Sequence, residues 1–532
     1  MWRRRFTRAT CSGRTEAIQS YKAHEAHVIN KPTSSTPACS PTSGAGDTSS
    51  AGSLKRKTVR GGVVAMSAQM MSIAIQLLST VILSRLLPSE DFGIIAMIVA
   101  ITAFMGLFRD MGLSTASIQK QSLQYAQVNA LFWLNVLAGG TLSVATILLA
   151  PALAWFYKKP EVMPVAMLMS VTFLVSSIGA QHAALMQREL RFLPKATADV
   201  AGAAVNFTLA VCLALLGYRY WALAWGVVAG ACVTTGLYFH GSKFRPGRPR
   251  RAEGLRHLLG FGANVTAFEV VNYFHRNLDN VLIGRVWGAS ALGLYSRAYQ
   301  LMMLPIVSLR TPINAVALPV LSRLQSEPAR YRHYYREIAS LLGMLSIPLM
   351  LFLAINADDV VQVALGSGWS GVGPIFVLLA LTGLIQPVAS LRGLVLLSLG
   401  RTRKYLVWGV LNAAVVCLGF CIGVQWGSVG VAAAYAITNY LLLYPSIVFA
   451  FKESPLRVSD FFVTLARPML AGLMGVAANW GAQGLVADHP VLLQLVFKAA
   501  TFGMVFAVTA LLLPGGKQQL TGYLAIVKSL RK

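Results

Sequence analysis

Charged residues are scarce in this chain, and acidic residues are scarcer still. Asp, Glu, Lys and Arg make up 12% of the 532 residues, and Asp and Glu together number only 19. An ordinary globular domain carries about 25% charged residues, whereas this chain is 55% hydrophobic with a mean hydropathy of +0.60. A soluble protein of this composition lacks the polar groups to cover its surface, so the sequence indicates an integral membrane protein.

Cysteines are also few, and none has the spacing of a metal site. Cys11 and Cys39 lie in the polar N-terminal region, and the other four lie in apolar runs, where we expect small buried thiols. The four are Cys212, Cys232, Cys417 and Cys421. No phosphate-binding glycine loop and no nucleophile constellation stands out. We therefore predict no metal, no cofactor and no catalytic residue, so the protein is not expected to be an enzyme.

Apolar stretches long enough to cross a bilayer recur over residues 62–514. A spanning helix needs about 20 such residues, and lipid leaves unpaired backbone groups without partners, so only helices or a closed barrel can cross. The runs lack the alternation of barrel strands. The sequence predicts an all-α integral membrane protein with about fourteen transmembrane helices. Their predicted bounds are 62–84, 92–117, 128–156, 162–183, 196–216, 220–239, 257–286, 292–321, 337–356, 372–398, 404–424, 428–450, 463–483 and 491–514.

Basic residues set the orientation of these helices. The formal net charge is +27, which in a soluble protein would suggest nucleic acid; here the positive-inside rule explains it, and no nucleic acid partner is expected. With the N-terminus in the cytoplasm, the inside loops carry the clusters at 188–195, 243–256, 323–336 and 401–404. The outside loops carry only Arg85, Lys158, Lys159, Arg219 and Arg285. This bias predicts that both termini are cytoplasmic.

The chain repeats itself. Val81-Ile82-Leu83-Ser84-Arg85 before Phe92-Gly93 is similar to Val281-Leu282-Ile283-Gly284-Arg285 before Leu292-Gly293. Six helices per half make the repeats parallel, which favours two lobes around a central substrate site; a duplication kept only for packing is the alternative. The predicted regions are a disordered basic tail at 1–57, an N-lobe at 58–239, a basic cytoplasmic linker at 240–256, a C-lobe at 257–450, two further helices at 451–514 and a cytoplasmic end at 515–532.

The seventh predicted helix carries a polar stripe. Glu269, Asn272, Arg276 and Asn280 share one face, with Asp279 beside them. A stripe of this kind must point away from lipid. It indicates either a structural hydrogen-bond network or, as we favour from its three-turn length, the wall of a wet cavity with a candidate ion-coupling carboxylate.

Arginine exceeds acid inside the other helices as well. The second helix carries Arg109 and Asp110, and the eighth helix carries Arg297 and Arg310 among prolines that suit either a moving element or packing kinks. Arg392 lies near a helix end, where we expect it to snorkel to the surface. Guanidinium forks bind phosphate oxygens bidentately. We therefore predict a cationic cavity, built from Arg109, Arg276, Arg297 and Arg310, for a phosphate or diphosphate.

Several stretches carry a resemblance to a known family. They are Leu83-Ser84-Arg85-Leu86-Leu87 with Asp91-Phe92-Gly93, Phe108-Arg109-Asp110-Met111-Gly112-Leu113, Gln187-Arg188-Glu189-Leu190-Arg191-Phe192, and Tyr295-Ser296-Arg297-Ala298-Tyr299-Gln300-Leu301 with Leu304-Pro305 and Leu318-Pro319-Val320-Leu321-Ser322. By their order and spacing, the chain resembles the polysaccharide transporters of the multidrug/oligosaccharidyl-lipid/polysaccharide exporter superfamily.

The resemblance implies a flippase in the inner membrane of a bacterium. Its substrate would be a polyprenyl-diphosphate-linked oligosaccharide for lipopolysaccharide, capsule or exopolysaccharide synthesis, and its other partners membrane lipids, a polysaccharide polymerase and chain-length machinery. In the related lipid II flippases, arginines of the first, second and eighth helices meet the diphosphate. Here the first helix has no internal arginine, and we expect Arg276 to supply that charge. Two alternatives remain: a cation-coupled multidrug antiporter of the same superfamily, which predicts acidic cavity residues, and a membrane glycosyltransferase or polymerase, which needs a large outer loop.

Overall fold

A computed structural model describes residues 47–110, 124–249, 255–486, 488–514 and 516, without the side chains of 47–61, 63, 110, 255–269, 271, 272 and 485. The chain divides into two units, Met1–Arg56 and Lys57–Lys532. In the first unit the described residues 47–56 are helical. The predicted tail at 1–57 therefore lies mostly outside the described residues and stays a prediction, as do the predicted region boundaries.

The described residues form fifteen α-helices, three single turns of 3-10 helix and no strand. The helices are α1 Asp47–Leu86, α2 Ser89–Asp110, α3 Tyr125–Tyr157, α4 Val162–Arg188, α5 Phe192–Leu215, α6 Tyr220–Gly241, α7 Leu255–Arg323, α8 Pro328–Ile355, α9 Ala357–Ala364, α10 Val372–Ala389, α11 Leu391–Ser398, α12 Thr402–Gly423, α13 Gly427–Phe451, α14 Val458–Ala482 and α15 Val491–Leu512. The all-α fold predicted from the apolar runs is confirmed.

Twelve stretches of the described residues are long and apolar enough to cross a membrane. Two of them, Tyr273–Arg323 and Thr402–Phe451, contain 51 and 50 residues, more than twice the roughly 20 that one crossing needs. The first is broken at Gly288, with φ 81°, and the second at Gly427, with φ 77°. Only glycine adopts this region without strain, so both breaks fall where a chain turns back. The predicted count of fourteen crossings stays a prediction.

Helix packing separates the molecule into two groups of helices. Helices α2 to α6 pack on one another, as do α8 to α15. Helix α7 contacts both groups, with α2 as its main partner on one side and α10 and α12 on the other. Below, its first arm is residues 255–287 and its second arm residues 289–323; the N-lobe is α2 to α6, and the C-lobe is α7 to α13.

One end of the bundle is closed by direct backbone contact between α2 and the second arm of α7. A Cβ atom added to Gly93 would lie 1.8 Å from the Ala289 carbonyl oxygen, and one added to Gly293 would lie 1.9 Å from the Ser89 carbonyl oxygen. The two glycines are equivalent positions of the sequence repeat. We call this end, which carries the turn at 86–89 and the bend at Gly288, the distal end; the sequence predicts that it faces away from the cytoplasm.

Further bonds join the same end across the lobes. The Arg85 guanidinium donates to the Val363 carbonyl oxygen at 2.7 Å, and Trp369 Nε1 donates to the Ser84 carbonyl oxygen at 2.7 Å. The Trp369 ring also lies against that of Phe92, with centroids 5.5 Å apart. The distal end is therefore packed shut between the lobes.

The basic linker is bound to the N-lobe over its first half. Tyr125, Asn129 and Trp133 are four residues apart on α3 and so share one face. Their side chains donate hydrogen bonds of 2.7 Å to the carbonyl oxygens of residues 245, 248 and 247. The Gly247 amide donates back to Asn129 Oδ1 at 2.8 Å. We call residues 242–249, held in this way, the strap.

Two ion pairs fasten the last helices to the C-lobe. Lys498 Nζ lies 2.6 Å from Asp359 Oδ2, and the lysine side chain is only 6% exposed. The Arg332 guanidinium makes a two-bond contact of 2.7 Å with the buried Asp460 carboxylate. The Lys498 charge, which lies inside an apolar helix, is thus paired with Asp359.

The cysteine prediction was partly wrong. All four described cysteines are free, as expected, but Cys212, Cys232 and Cys421 are exposed on the protein surface rather than buried. They lie on helix faces that have no protein neighbour, and in a membrane protein an apolar thiol facing lipid carries no desolvation penalty. An apolar run therefore cannot tell a core cysteine from a lipid-facing one.

Candidate functional site

Two arginines of α7 come together in the C-lobe. Arg276 lies on the first arm and is exposed, and Arg310 lies on the second arm and is partly buried. The two guanidinium groups interact electrostatically, so the bend at Gly288 folds them into one site. No carboxylate of the described residues forms an ion pair with either of them. Two of the four arginines of the predicted cationic cavity thus lie within electrostatic range of each other.

Tyrosines surround this pair. The Tyr299 ring lies 6.4 Å from that of Tyr435, and both phenols are within electrostatic range of Arg276 and Arg310. Gln386 Nε2 donates to the Tyr435 hydroxyl at 3.1 Å. The site therefore presents guanidinium and phenol groups, which suits an oxygen-rich anion.

Asp279 is bound within the protein. Its side chain is 2% exposed, and its carboxylate accepts the Tyr295 hydroxyl at 2.8 Å and the Asn280 amide at 2.8 Å. The bond from Tyr295 links the two arms of α7 across their bend. Asn280 Oδ1 is buried with no partner among the described residues. Asp279, which lies beside the predicted stripe, is therefore held in a structural contact, whereas the role of the stripe itself stays a prediction.

Arg297 lies apart from the pair, near the distal end. Its guanidinium lies 3.8 Å from the centroid of the Phe92 ring and donates to Gln300 Oε1 at 2.5 Å. Gln300 in turn donates to Thr80 at 3.1 Å. A cation stacked on an aromatic ring is held in place, so this arginine belongs to the packed contact between the lobes.

Arg109 lines a separate cavity in the N-lobe. This cavity has a volume of about 470 Å³, and its other lining residues come from α4 and α6. The polar ones are Ser176, Gln187, Thr234, Thr235 and Tyr238. Arg109 Nε is buried and has no partner among the described residues. The structure thus distributes the four predicted arginines over three places.

Three of the predicted polar residues have side chains outside the described part of the chain. They are Asp110, Glu269 and Asn272. Their predicted roles in the cavity or in ion coupling stay predictions. Among the described residues, no group of three or more His, Cys, Asp or Glu side chains is arranged to hold a metal ion.

Sequence reasoning missed Arg392. It was expected to snorkel from a helix end, but it lies just after the break at Ser390 between α10 and α11, inside the apolar stretch Val372–Ser398. It lines a pocket that also contains His275. Pro387 and Gly393 on either side were the available signal, because both weaken a helix and mark an interruption.

Comparisons with known proteins agree with this architecture. A model of the family described as polysaccharide biosynthesis protein matches residues 82–374. The lipopolysaccharide biosynthesis protein WzxC of Escherichia coli K12 is 27% identical over 402 residues, covering 74% of this chain and 81% of WzxC. The teichuronic acid biosynthesis protein TuaB of Bacillus subtilis 168 is 27% identical over 387 residues, covering 71% and 79%. The succinoglycan biosynthesis transport protein ExoT of Rhizobium meliloti 1021 is 24% identical over 441 residues, covering 81% and 88%.

Two solved structures share the fold. The lipid II flippase MurJ in an inward closed conformation superposes with a TM-score of 0.69 at 12% identity, covering 84% of this chain and 99% of that one. An inward-facing multidrug transporter of the MATE family superposes with a TM-score of 0.56 at 14% identity, covering 77% and 98%. The resemblance drawn from the sequence motifs is confirmed.

Proposed function

Because the chain belongs to the polysaccharide biosynthesis protein family, we propose that it is a flippase for a polyprenyl-diphosphate-linked oligosaccharide. It moves the head group from the inner to the outer leaflet of the bacterial inner membrane, with both termini in the cytoplasm. It is a carrier and not an enzyme, and it hands its cargo to a polysaccharide polymerase and chain-length machinery. The relatives named for lipopolysaccharide, teichuronic acid and succinoglycan support this substrate class.

The observation that carries the proposal is the Arg276–Arg310 pair. Ionisable groups inside a membrane cost several kcal/mol and persist where they face a cavity or a partner. Two arginines that repel each other, with no described carboxylate between them, form a site that an anion stabilises. A diphosphate offers several oxygens to two guanidinium forks, and such charge-assisted contacts are roughly twice as strong as neutral hydrogen bonds.

The closed distal end supports entry of the head group from the opposite side. With α2 and α7 in backbone contact at Gly93 and Gly293, the bound anion reaches the far side only if the lobes part at this end. Parallel lobes that rock about a central site provide that motion. The polyprenyl tail stays in lipid throughout, so only the polar head group crosses through protein.

The test is complementation of a strain that lacks its own flippase for the same repeat unit. The intact chain should restore lipid-linked repeat units on the outer leaflet, and Arg276→Gln or Arg310→Gln should lower the rate at least about tenfold, because each removes a charged hydrogen-bond donor. Arg403→Gln, an exposed arginine at the start of α12, is the matched control. Full activity of both site variants at normal membrane abundance would refute the assignment.

A cation-coupled multidrug antiporter is the second candidate, favoured by the MATE-like fold. That function needs carboxylates facing the cargo. Asp279, the one carboxylate of α7 with a described side chain, is bound to Tyr295, which argues for the flippase. Export of a lipophilic cation by vesicles containing the protein, without any effect on lipid-linked sugars, would favour the antiporter.

A further inference from the structure

A pocket of about 220 Å³ lies within the C-lobe, between the first arm of α7, α11 and α12. Its polar lining residues are His275, Ser390, Arg392, Tyr405, Trp408 and Asn412. No carboxylate lines it. This pocket holds none of the four arginines predicted from the sequence to bind the substrate.

The polar groups in this pocket are mainly donors. Trp408 Nε1 is buried and has no hydrogen-bond partner among the described residues. Arg392 forms no ion pair with any described carboxylate. The Asn412 side-chain amide lies within hydrogen-bond distance of His275, with 3.0 Å between Nδ2 and the ring Nε2. A metal cation needs oxygen ligands such as carboxylates and carbonyls, whereas a buried guanidinium and an indole N–H attract an oxyanion.

The pocket adjoins the Arg276–Arg310 pair. His275 precedes Arg276 on the first arm of α7, and it interacts electrostatically with both Arg276 and Arg392. Tyr405 is within electrostatic range of Arg310 and of Arg392. A head group bound at the pair therefore extends close to the opening beside Arg392.

We propose that this pocket binds one oxyanion of the cargo, the carboxylate or phosphate of an acidic sugar, with Arg392 and Trp408 as its donors. The inference rests on the proposed flippase function and specifies its substrate. At about 220 Å³ the pocket is smaller than the roughly 300–1,000 Å³ of drug-sized sites and larger than the roughly 30 Å³ of one water. It has room for one small acidic group, which belongs either to a sugar or to a free oxyanion.

The arginine pair and the Arg392 pocket together make the carrier selective. The Arg276–Arg310 pair recognises the diphosphate common to every such lipid, and Arg392 recognises the glycan. A neutral sugar offers the guanidinium only uncharged hydroxyl oxygens, whereas a hydrogen bond between two charged groups is stronger: bonds to charged groups contribute about 1.5–3 kcal/mol, against about 1 kcal/mol for a neutral bond. The protein therefore favours acidic repeat units over neutral ones.

Binding is tested on the purified full-length protein by titration with glucuronate, glucose and inorganic phosphate at constant ionic strength. The signal from the pocket is the change in tryptophan fluorescence on binding that is lost in Trp408→Phe. Glucuronate should bind and glucose should not; Arg392→Gln should weaken binding at least about tenfold, and Arg403→Gln should leave it unchanged. Binding of phosphate without binding of glucuronate would assign the pocket to a free oxyanion and would overturn the assignment to an acidic sugar. Binding of neither anion, or equal binding by Arg392→Gln, would overturn the site.

A cellular test separates this inference from the flippase proposal. Two host strains are used, one making a uronate-containing repeat unit and one making a neutral repeat unit. Arg392→Gln should reduce export of the acidic glycan and spare the neutral one, at equal membrane abundance. If the intact chain exports neither glycan, the flippase proposal fails. If the intact chain and Arg392→Gln export the acidic glycan equally, only the pocket inference fails.

Discussion

Substituting alanine for Gly93 should force open the distal end of the protein. The added Cβ would lie 1.8 Å from the Ala289 carbonyl oxygen, whereas carbon and oxygen atoms in close contact lie about 3.3 Å apart. Helix α2 and the second arm of α7 must then separate by about 1.5 Å. Overpacking of this kind costs about 1–3 kcal/mol. Since 1.4 kcal/mol is a factor of ten, the ratio of closed to open protein should fall about five- to one-hundred-and-fortyfold.

Thiol labelling measures this shift. Ser84, which is 3% exposed at the distal end, is replaced by cysteine in a chain without its native cysteines, and an impermeant maleimide is added from outside. Gly93→Ala should label about tenfold faster than the parent. Gly293→Ala, the equivalent substitution in the other repeat, should have the same effect. Gly236→Ala on α6, where an added Cβ meets no atom within 4 Å, is the control. Equal labelling of all four proteins would refute the reasoning.

Three further results are expected. Asp359→Asn leaves the buried Lys498 ammonium unpaired, so the detergent-solubilised protein should lose about 3–5 kcal/mol of stability. The loss should appear as a lower melting temperature, which the double variant Asp359→Asn with Lys498→Met should partly restore. An unchanged melting temperature would mean that water already screens the pair. Asn129→Ala removes two bonds to the strap, worth about 1 kcal/mol each, and should speed proteolysis at residues 242–249, whereas unchanged cleavage would show that Tyr125 and Trp133 suffice. The Lys404 ammonium lies 2.6 Å from a Glu453 carboxylate oxygen and holds the pKa of that carboxyl below its ordinary value. The stability difference between the native protein and Glu453→Gln should therefore be present at neutral pH and vanish as the pH falls through the lowered pKa. A difference that persists in acid would exclude this ion pair as its source.

The membrane helices were predictable because each depends on one local property, an uninterrupted apolar run of sufficient length. The break inside α7 was predictable for a similar reason, since the polar Gly284-Arg285 and the small residues at 288–290 interrupt the run. Gly93 and Gly293, which occupy equivalent positions in the repeat, both lie at the closed end.

The candidate site was only partly predictable, because it depends on which helices face each other. Arg297 and Arg310 lie on the same helix arm, yet one is stacked on Phe92 and the other interacts with Arg276. Nothing in the sequence distinguishes them, since the difference lies in α2. Arg392 shows the opposite error: its position near a predicted helix end suggested a surface role, and only the break at Ser390 places it in a pocket.

The strap limits how far the two lobes can move apart during transport. Because Arg248 is the last strap residue that bonds to α3 among the described residues, the covalent tether from it to the start of α7 at Leu255 is seven peptide steps long, and a chain of that length spans at most about 25 Å. The tether keeps the two lobes close together on the side that carries the linker, so the lobes can separate widely only on the far side. A bulky glycan would then have to enter between the lobes at a point away from the tether.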